Sequence, residues 1–425
     1  MTPTRRVFFG MAGLVTFLFS IPNTSVNAFS TPVIPSPVSS TVSTTDPKTA
    51  STPTNPTVAY KTVPLPLTGF GINAPLAVWY PVSGTDSDSS LQPQAAAASE
   101  VAPPSTPVKY DYQISVRRIG ELLARWDFIP GFVTRKFTFE RINNYSDDKN
   151  TNIHFVDGKH VPLPTTAKVV VLTHGFLGSR FDLSHIAEDL AARGFVCVAP
   201  EYPESLEASY PRLEGLDRKV VNDRLLRWIT DNVKEPKSFA SIGHSMGAGT
   251  ALDIGDDSWD RVLMGIGRAP DLPGKEIDVT AKFPMRQVGG RLLFISSVND
   301  GAVKWGGGIR VPDDYTMLSE SQIFAASPSN DASSNGRLSM ILPDRAALVF
   351  DRSNAPNHIS FLSENVNEAM ISFLAPLLPV AQAFDIPVLD FDKYVISRDS
   401  VQTAEVLKPL IAEFLLSADK EGVDL

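Results

Sequence analysis

Cysteine is almost missing from this sequence: Cys197 is the one thiol in 425 residues. Neither an intramolecular disulfide framework nor a thiolate metal cluster can be built from it, and inside an apolar run it reads as inert core. No Gly-Lys-Ser/Thr closes a glycine-rich loop, so a P-loop is excluded, and no His-Glu-x-x-His marks a zinc hydrolase. Gly243, Gly247 and Gly249 miss the G-x-G-x-x-G spacing of a dinucleotide site. Positive charge is also short, with 38 Lys and Arg against 47 Asp and Glu and a net charge of -9. That balance argues against a phosphate-backbone ligand, and so against nucleic acid as a partner.

The apolar run near the start is also limited. Val7 to Ile21 spans 15 residues and contains Gly10 and Gly13, short of the ~20 a membrane-spanning helix needs. Arg5 and Arg6 precede it, and Val26-Asn27-Ala28 follows as a small-residue cleavage site. Together they read as a signal peptide over 1–28. An uncleaved anchor and a twin-arginine signal at Thr4 to Phe9 are the competing readings. Residues 29–57 are almost wholly Ser, Thr and Pro, with one acid, Asp46, and one base, Lys48. Such a leader cannot bury enough apolar area to fold and is expected to be disordered. A cut before Phe29 and an acid-poor Ser/Thr stretch resemble the bipartite plastid presequence of diatoms and related algae. The resemblance implies plastid import by the secretory route, and a secreted protein with a flexible stalk is the alternative.

From 58 to 425 the chain reads as one catalytic domain. Val63 to Leu67 and Leu76 to Pro81 look like paired strands. The aperiodic Ser/Asp/Ala/Pro tract 83–107 reads as a disordered insertion. Val108 to Val116 is strand-like and Ile119 to Trp126 helix-like. Lys168 to Thr173 is a β-branched run suited to a strand buried on both faces. Phe195 to Ala199, Phe239 to Gly243, Arg261 to Ile266, Arg291 to Ser297 and Ala346 to Phe350 supply further strands. Helices are predicted from Asp182, as cap, to Arg193, over Leu216 to Val233 with Val220, Leu225, Trp228 and Ile229 inward, and over Met246 to Ile254. Two more are predicted at Ile359 to Leu374 and Val401 to Leu416. The alternation predicts an α/β fold with a mostly parallel central sheet covered by helices on both faces.

Gly243-His244-Ser245-Met246-Gly247 carries the chemistry. It fits G-x-S-x-G between a strand and a helix, where two glycines permit so sharp a reversal that Ser245 stands strained and exposed. The helix N-terminus behind it favours developing negative charge. Its partners follow in the order Ser, acid, His. Of six histidines only His358 lies downstream, in a loop that opens a helix. Asp300 ends the strand run from Leu292 and can orient the His358 Nδ1–H. Asp271 is the competing acid, while Asp256, Asp257 and Asp260 read as solvated loop charges. Met246 N–H supplies one oxyanion donor. The other is assigned to Phe176 N–H, with Leu177 as fallback, from the loop His174-Gly175-Phe176-Leu177-Gly178-Ser179. His174 is read as a loop hydrogen-bonder and not the base, and His244 as pointing away from the site.

His174 to Arg180, Leu190-Ala191, Gly194-Phe195, Pro200-Glu201 and Ser209-Tyr210 together resemble the platelet-activating-factor acetylhydrolase family, close to the dienelactone-hydrolase-like esterases. The likeness covers roughly Tyr60 to Leu378. It implies the α/β-hydrolase fold, Ser245, Asp300 and His358 as a triad, Phe176 and Met246 as oxyanion donors, and hydrolysis of lipid-like esters of the 1-alkyl-2-acetylglycerophosphocholine type. Neither metal nor cofactor is implied; the partner is a small-molecule or lipid ester, with peripheral membrane contact as a corollary. One departure is that the strand-end Glu201 is followed by Tyr202-Pro203-Glu204 where the family has His-Arg-Asp. The leader and the Gly-His-Ser elbow also resemble chlorophyllase, although plant chlorophyllases carry Arg where Met246 stands. A non-catalytic ligand-binding homologue is the third reading. Residues 305–342 exceed what one helix and one strand require. They are read as a lid, with Trp305, Ile323 and Phe324 facing an apolar group, or else as a surface excursion.

Overall fold

The computed structural model describes residues 56–82, 108–124, 132, 134–141, 153–207, 210, 213–274, 287–326, 341–366, 368–369 and 398–417. The strands are β1 Thr57–Leu67, β2 Ile72–Pro81, β3 Val108–Ser115, β4 Thr134–Arg141, β5 His154–Asp157 and β6 Thr166–Thr173. They continue as β7 Phe195–Pro200, β8 Glu235–His244, β9 Asp260–Met264, β10 Leu292–Ser297, β11 Thr316–Leu318 and β12 Arg345–Phe350. The longer helices are α1 Ser184–Ala192, α2 Arg218–Asn232, α3 Met246–Asp253, α4 Gly301–Trp305, α5 Glu320–Ala326 and α6 Ser400–Ser417.

Ten strands form one sheet in the order β11-β12-β10-β9-β8-β6-β7-β2-β1-β5. Neighbours run parallel except at β2, which is antiparallel to both β1 and β7. The path β1-β2-β7-β6-β8-β9-β10-β12 is the strand order of the α/β-hydrolase fold, as the alternation of strand and helix predicts. Every residue of β7 and of β10 is buried. Parallel strands covered on both faces need continuous apolar runs, and these two have them. On one side α2 sets Val221, Leu225 and Ile229 against Leu65, Leu76 and Val78. Farther along the same face α3 packs Ala248, Ala251 and Leu252 with Leu263, Leu292 and Phe294. Burying such side chains contributes roughly 1.5–3 kcal/mol each.

β3 and β4 pair apart from this sheet. In β3, Val108, Tyr110, Tyr112 and Ile114 are buried and alternate with exposed residues, the period of a ribbon covered on one face. β4, β5 and β11 were not legible in the sequence: β4 mixes Arg, Lys and Glu among its apolar residues, and β11 is three residues long.

Several expectations are corrected. Asp182 does not cap α1; it folds back to accept from Ser179 N–H at 2.9 Å and Ser179 Oγ at 3.0 Å. The helix starts at Ser184 without a side-chain cap. In α2 the buried valine is Val221, not Val220. The helix predicted from Ile359 opens as a 3₁₀ turn, His358–Phe361, because Asn357 caps it tightly, and residues 370–397 lie outside the described residues. So do 1–28, 29–55, 83–107 and 327–340. Among the described residues no helix is long and apolar enough to cross a membrane.

Candidate active site

Strand β8 ends at His244 and α3 starts at Met246, so Ser245 alone makes the turn between them. It does so at φ 57°, ψ -125°, a region that a side chain with a Cβ rarely occupies. Close approach makes both flanking glycines necessary. A Cβ at Gly243 would meet Gly247 O at 2.2 Å, and one at Gly247 would meet Thr173 O at 2.0 Å. Thr173, ending β6, ties the helix start down by donating from Oγ1 to Gly247 O at 2.7 Å. Ser245 N–H donates to Met264 O at 2.9 Å, which anchors the turn to β9.

Asp300 and His358 meet at the same end of the sheet, 58 positions apart: His358 Nδ1 lies 2.8 Å from Asp300 Oδ2. Asp300 is fully buried. Its other oxygen accepts from Val303 N–H at 3.0 Å, so the carboxylate also caps α4 and has one orientation. The histidine loop is laced to the end of β10. Ser297 Oγ donates to Pro356 O, and Asn299 Nδ2 donates to Ser353 O and Ala355 O, each at 3.0 Å. Asn357 Oδ1 accepts from Ile359 N–H at 3.1 Å and Ser360 N–H at 3.0 Å. With Nδ1–H directed at the carboxylate, Nε2 is the unprotonated nitrogen of the ring.

Gly175 is the glycine beside the serine: a Cβ there would come 3.1 Å from Ser245 Cβ. Of the two loop amides considered as donors, Leu177 N–H is engaged with Glu204 O at 3.0 Å. Phe176 N–H donates to no protein acceptor among the described residues, and neither does Met246 N–H at the start of α3. Leu177 carries φ 61°, so the loop reverses directly after Phe176.

His174 is structural. Its Nδ1 bonds Gly175 O at 2.8 Å and its Nε2 accepts from Tyr202 N–H at 2.9 Å. Burial, with the Arg218 charge second, holds its pKa well below the usual histidine range. His244 departs from expectation. Its ring turns inward, 4.6 Å from the His358 ring, and hydrogen-bonds the His358 backbone. The room comes from Gly265, where a Cβ would lie 2.7 Å from His244 Nε2 and 3.5 Å from Asp300 Oδ2. Burial keeps this imidazole neutral, its pKa well below normal. It was expected to point away from the site, but the histidine loop lies against it.

Other predicted residues lie apart from this cluster. Asp271 pairs with Arg268 at 3.1 Å, Asp256 accepts from Ser258, and Asp260 faces Arg291 at 3.5 Å. In the region read as a lid, Ile323 is fully buried while Phe324 is 52% exposed, so the two do not share a face; the Trp305 side chain lies outside the described residues. Cys197 is buried, and burial pushes its thiol pKa well up. Among the described residues no three His, Cys, Asp or Glu gather as metal ligands. Sequence reasoning missed Arg218 and Asn299, which act on main-chain carbonyls and so leave no motif.

Strand order and elbow define a protein of the α/β-hydrolase fold. Among solved structures, the chain is similar to a ferulic acid esterase from Streptomyces cinnamoneus at 13% identity, covering 85% of this chain and 88% of that one with a TM-score of 0.37. It is similar to an esterase of Pyrococcus furiosus at 14% identity, covering 80% and 96% with a TM-score of 0.29. Mouse alpha/beta hydrolase domain-containing protein 10 follows at 11% identity, 51% and 92% coverage and a TM-score of 0.27. These are loose likenesses in arrangement, and the fold assignment rests on this chain's own strand order. No family model matches the chain, and no curated protein matches it either.

Proposed function

We propose that this chain is a serine carboxylic-ester hydrolase acting through Ser245, His358 and Asp300 and a covalent acyl-enzyme. The observation that carries the reading is the 2.8 Å Asp300–His358 contact at the end of the sheet where Ser245 holds its strained turn. His358 Nε2 takes the Ser245 proton as Oγ attacks the ester carbonyl, while Asp300 stabilises the imidazolium without being protonated. Phe176 N–H and Met246 N–H meet the tetrahedral oxygen. The leaving alcohol departs with the proton from Nε2. Water then attacks the acyl-enzyme through the same base, releasing the acid and restoring Ser245.

The test is fluorophosphonate labelling beside hydrolysis of p-nitrophenyl esters. Wild type is expected to label and to turn over, and Ser245→Ala to do neither. Equal background hydrolysis with no labelling of either protein overturns the reading and favours a ligand-binding homologue.

For the substrate, the reading is a lipid-like ester of the alkyl-acetylglycerophosphocholine type. It is supported by the resemblance from His174 to Tyr210 and by Met246, which leaves apolar surface 45% exposed beside the nucleophile. Profiling short-acyl phosphatidylcholines against chlorophyll tests it, and turnover of chlorophyll alone favours a chlorophyllase-type esterase instead. Co-sedimentation with phosphatidylcholine vesicles tests peripheral membrane contact. Residues 1–57 are proposed to direct the chain to a plastid through the secretory route. A fluorescent reporter fused to them tests this, and secretion overturns it.

A further inference from the structure

In the trans peptide joining Gly175 to Phe176, the carbonyl oxygen and the N–H point in opposite directions. Whatever grips Gly175 O therefore aims Phe176 N–H. That oxygen is bonded by His174 Nδ1 at 2.8 Å, Gly178 N–H at 3.3 Å and Arg218 Nη2 at 3.4 Å. Arg218 does more than share this contact. Its Nη1 donates to His174 O at 2.8 Å and to Thr250 Oγ1 at 3.0 Å, and its Nε donates to Glu204 Oε2 at 3.0 Å. Thr250 lies on α3, the helix whose first amide belongs to Met246. One guanidinium thus ties the loop bearing one donor to the helix bearing the other.

The guanidinium is itself held. It lies 4.5 Å over the Tyr202 ring, whose hydroxyl bonds Asn222 Oδ1 at 2.8 Å. Asp217 caps α2 by accepting from Val220 N–H at 2.9 Å, which fixes the backbone at Arg218. Glu204 closes the arrangement from the far side, since its carbonyl receives Leu177 N–H at 3.0 Å while its carboxylate receives Arg218. Arg118 braces the same segment from behind, bonding Pro203 O and, at 3.4 Å, Ser205 O. These contacts run through Tyr202-Pro203-Glu204, the tripeptide that stands where the resembled family has another sequence.

We propose that Arg218 is a positioning residue of the oxyanion hole: by gripping the His174 and Gly175 carbonyls and Thr250, it sets the Phe176 N–H relative to the Met246 N–H. The proposal rests on the esterase reading above. Placement matters because each donor is effective only within hydrogen-bond distance of the oxyanion, and losing one typically costs 10²–10³ in kcat.

The test titrates Ser245 with a fluorophosphonate and measures kcat per titrated serine in wild type, Arg218→Met, Arg218→Lys and Glu204→Gln. Arg218→Met is expected to lose about 10- to 100-fold in kcat with KM changed by less than about threefold. The pH profile of kcat/KM should match wild type, because Asp300 and His358 are untouched. Arg218→Lys should recover part of the loss, and Glu204→Gln should show a smaller one. A brace of the fold alone would lower the fraction of titratable serine and leave kcat per serine unchanged, and that result overturns the proposal. If Arg218→Met does not fold, an unchanged kcat per serine in Glu204→Gln overturns it equally. Absence of labelling in wild type sinks the esterase reading first and this inference with it; labelled wild type with indifferent variants sinks the inference alone.

Discussion

The two banks of the site are secured by different forces. On the His358 side, the Asp300 contact aside, the bonds that hold the loop are neutral: Ser297 to Pro356 O, Asn299 to Ser353 O and Ala355 O, Asn357 to its own turn. On the opposite bank charge does the holding. Arg180 Nη1 lies 2.6 Å from Glu201 and 2.9 Å from Glu207, all three buried, and its Nη2 bonds Asp111 O at 2.9 Å. Neutral bonds contribute about 1 kcal/mol each and ignore pH. Buried ionic groups are costly to desolvate and costly to orphan. One guanidinium cannot neutralise two carboxylates, so burial, reinforced by the Glu207 charge, pushes the Glu201 pKa up. The lesson is a division of labour. Around the Asp300–His358 pair the loop is fixed by groups that do not titrate, while a buried ionic cluster braces the bank that carries the Phe176 amide.

Substitutions can break this contrast, the largest effect first. Asp300→Asn keeps a side-chain oxygen able to cap α4 but no longer enforces the His358 tautomer. A fall of about 10⁴ in kcat is expected, read in steady-state hydrolysis, with little change in unfolding midpoint. Arg180→Met on the charged bank leaves Glu201 and Glu207 facing each other without a cation. Urea unfolding should show a loss of about 3–5 kcal/mol, against about 1 kcal/mol for Asn299→Ala on the neutral bank.

Acidity sharpens the comparison with a smaller effect. Burial raises the Asp182 pKa to about 7, above the unfolded value near 4. Folding therefore favours its protonated form. That contribution is complete below about pH 4 and is lost as pH rises through about 7. Thermal scans should show Tm falling across that window in wild type and falling less in Asp182→Asn. Asn299→Ala should lower the curve equally at every pH.

Much of this was legible because it is written in contiguous residues. G-x-S-x-G after an apolar strand announces the turn at Ser245, chain order nominated His358, and a place at the end of a buried strand nominated Asp300 over Asp271. Continuous apolar runs gave β6, β7 and β10 their places inside a covered sheet. What stayed hidden depends on groups the alphabet does not encode. Arg218, Asn299 and Ser297 act on main-chain carbonyls, which every residue carries. His244 turned inward because Gly265, twenty-one positions away, leaves a hollow for its ring. Asp182 looked like a cap because spacing favoured it, yet the Ser179 amide and hydroxyl lay nearer.

The backbone at Ser245, a non-glycine residue at φ 57°, has an evolutionary corollary. Holding a Cβ in that region costs on the order of 1–3 kcal/mol, a penalty that glycine escapes. Ser245→Gly should therefore yield an inert protein that melts later than its parent, and differential scanning calorimetry would reveal the gain. A lineage released from the proposed chemistry would gain durability by this one replacement, so selection for the strained serine has to work against stability.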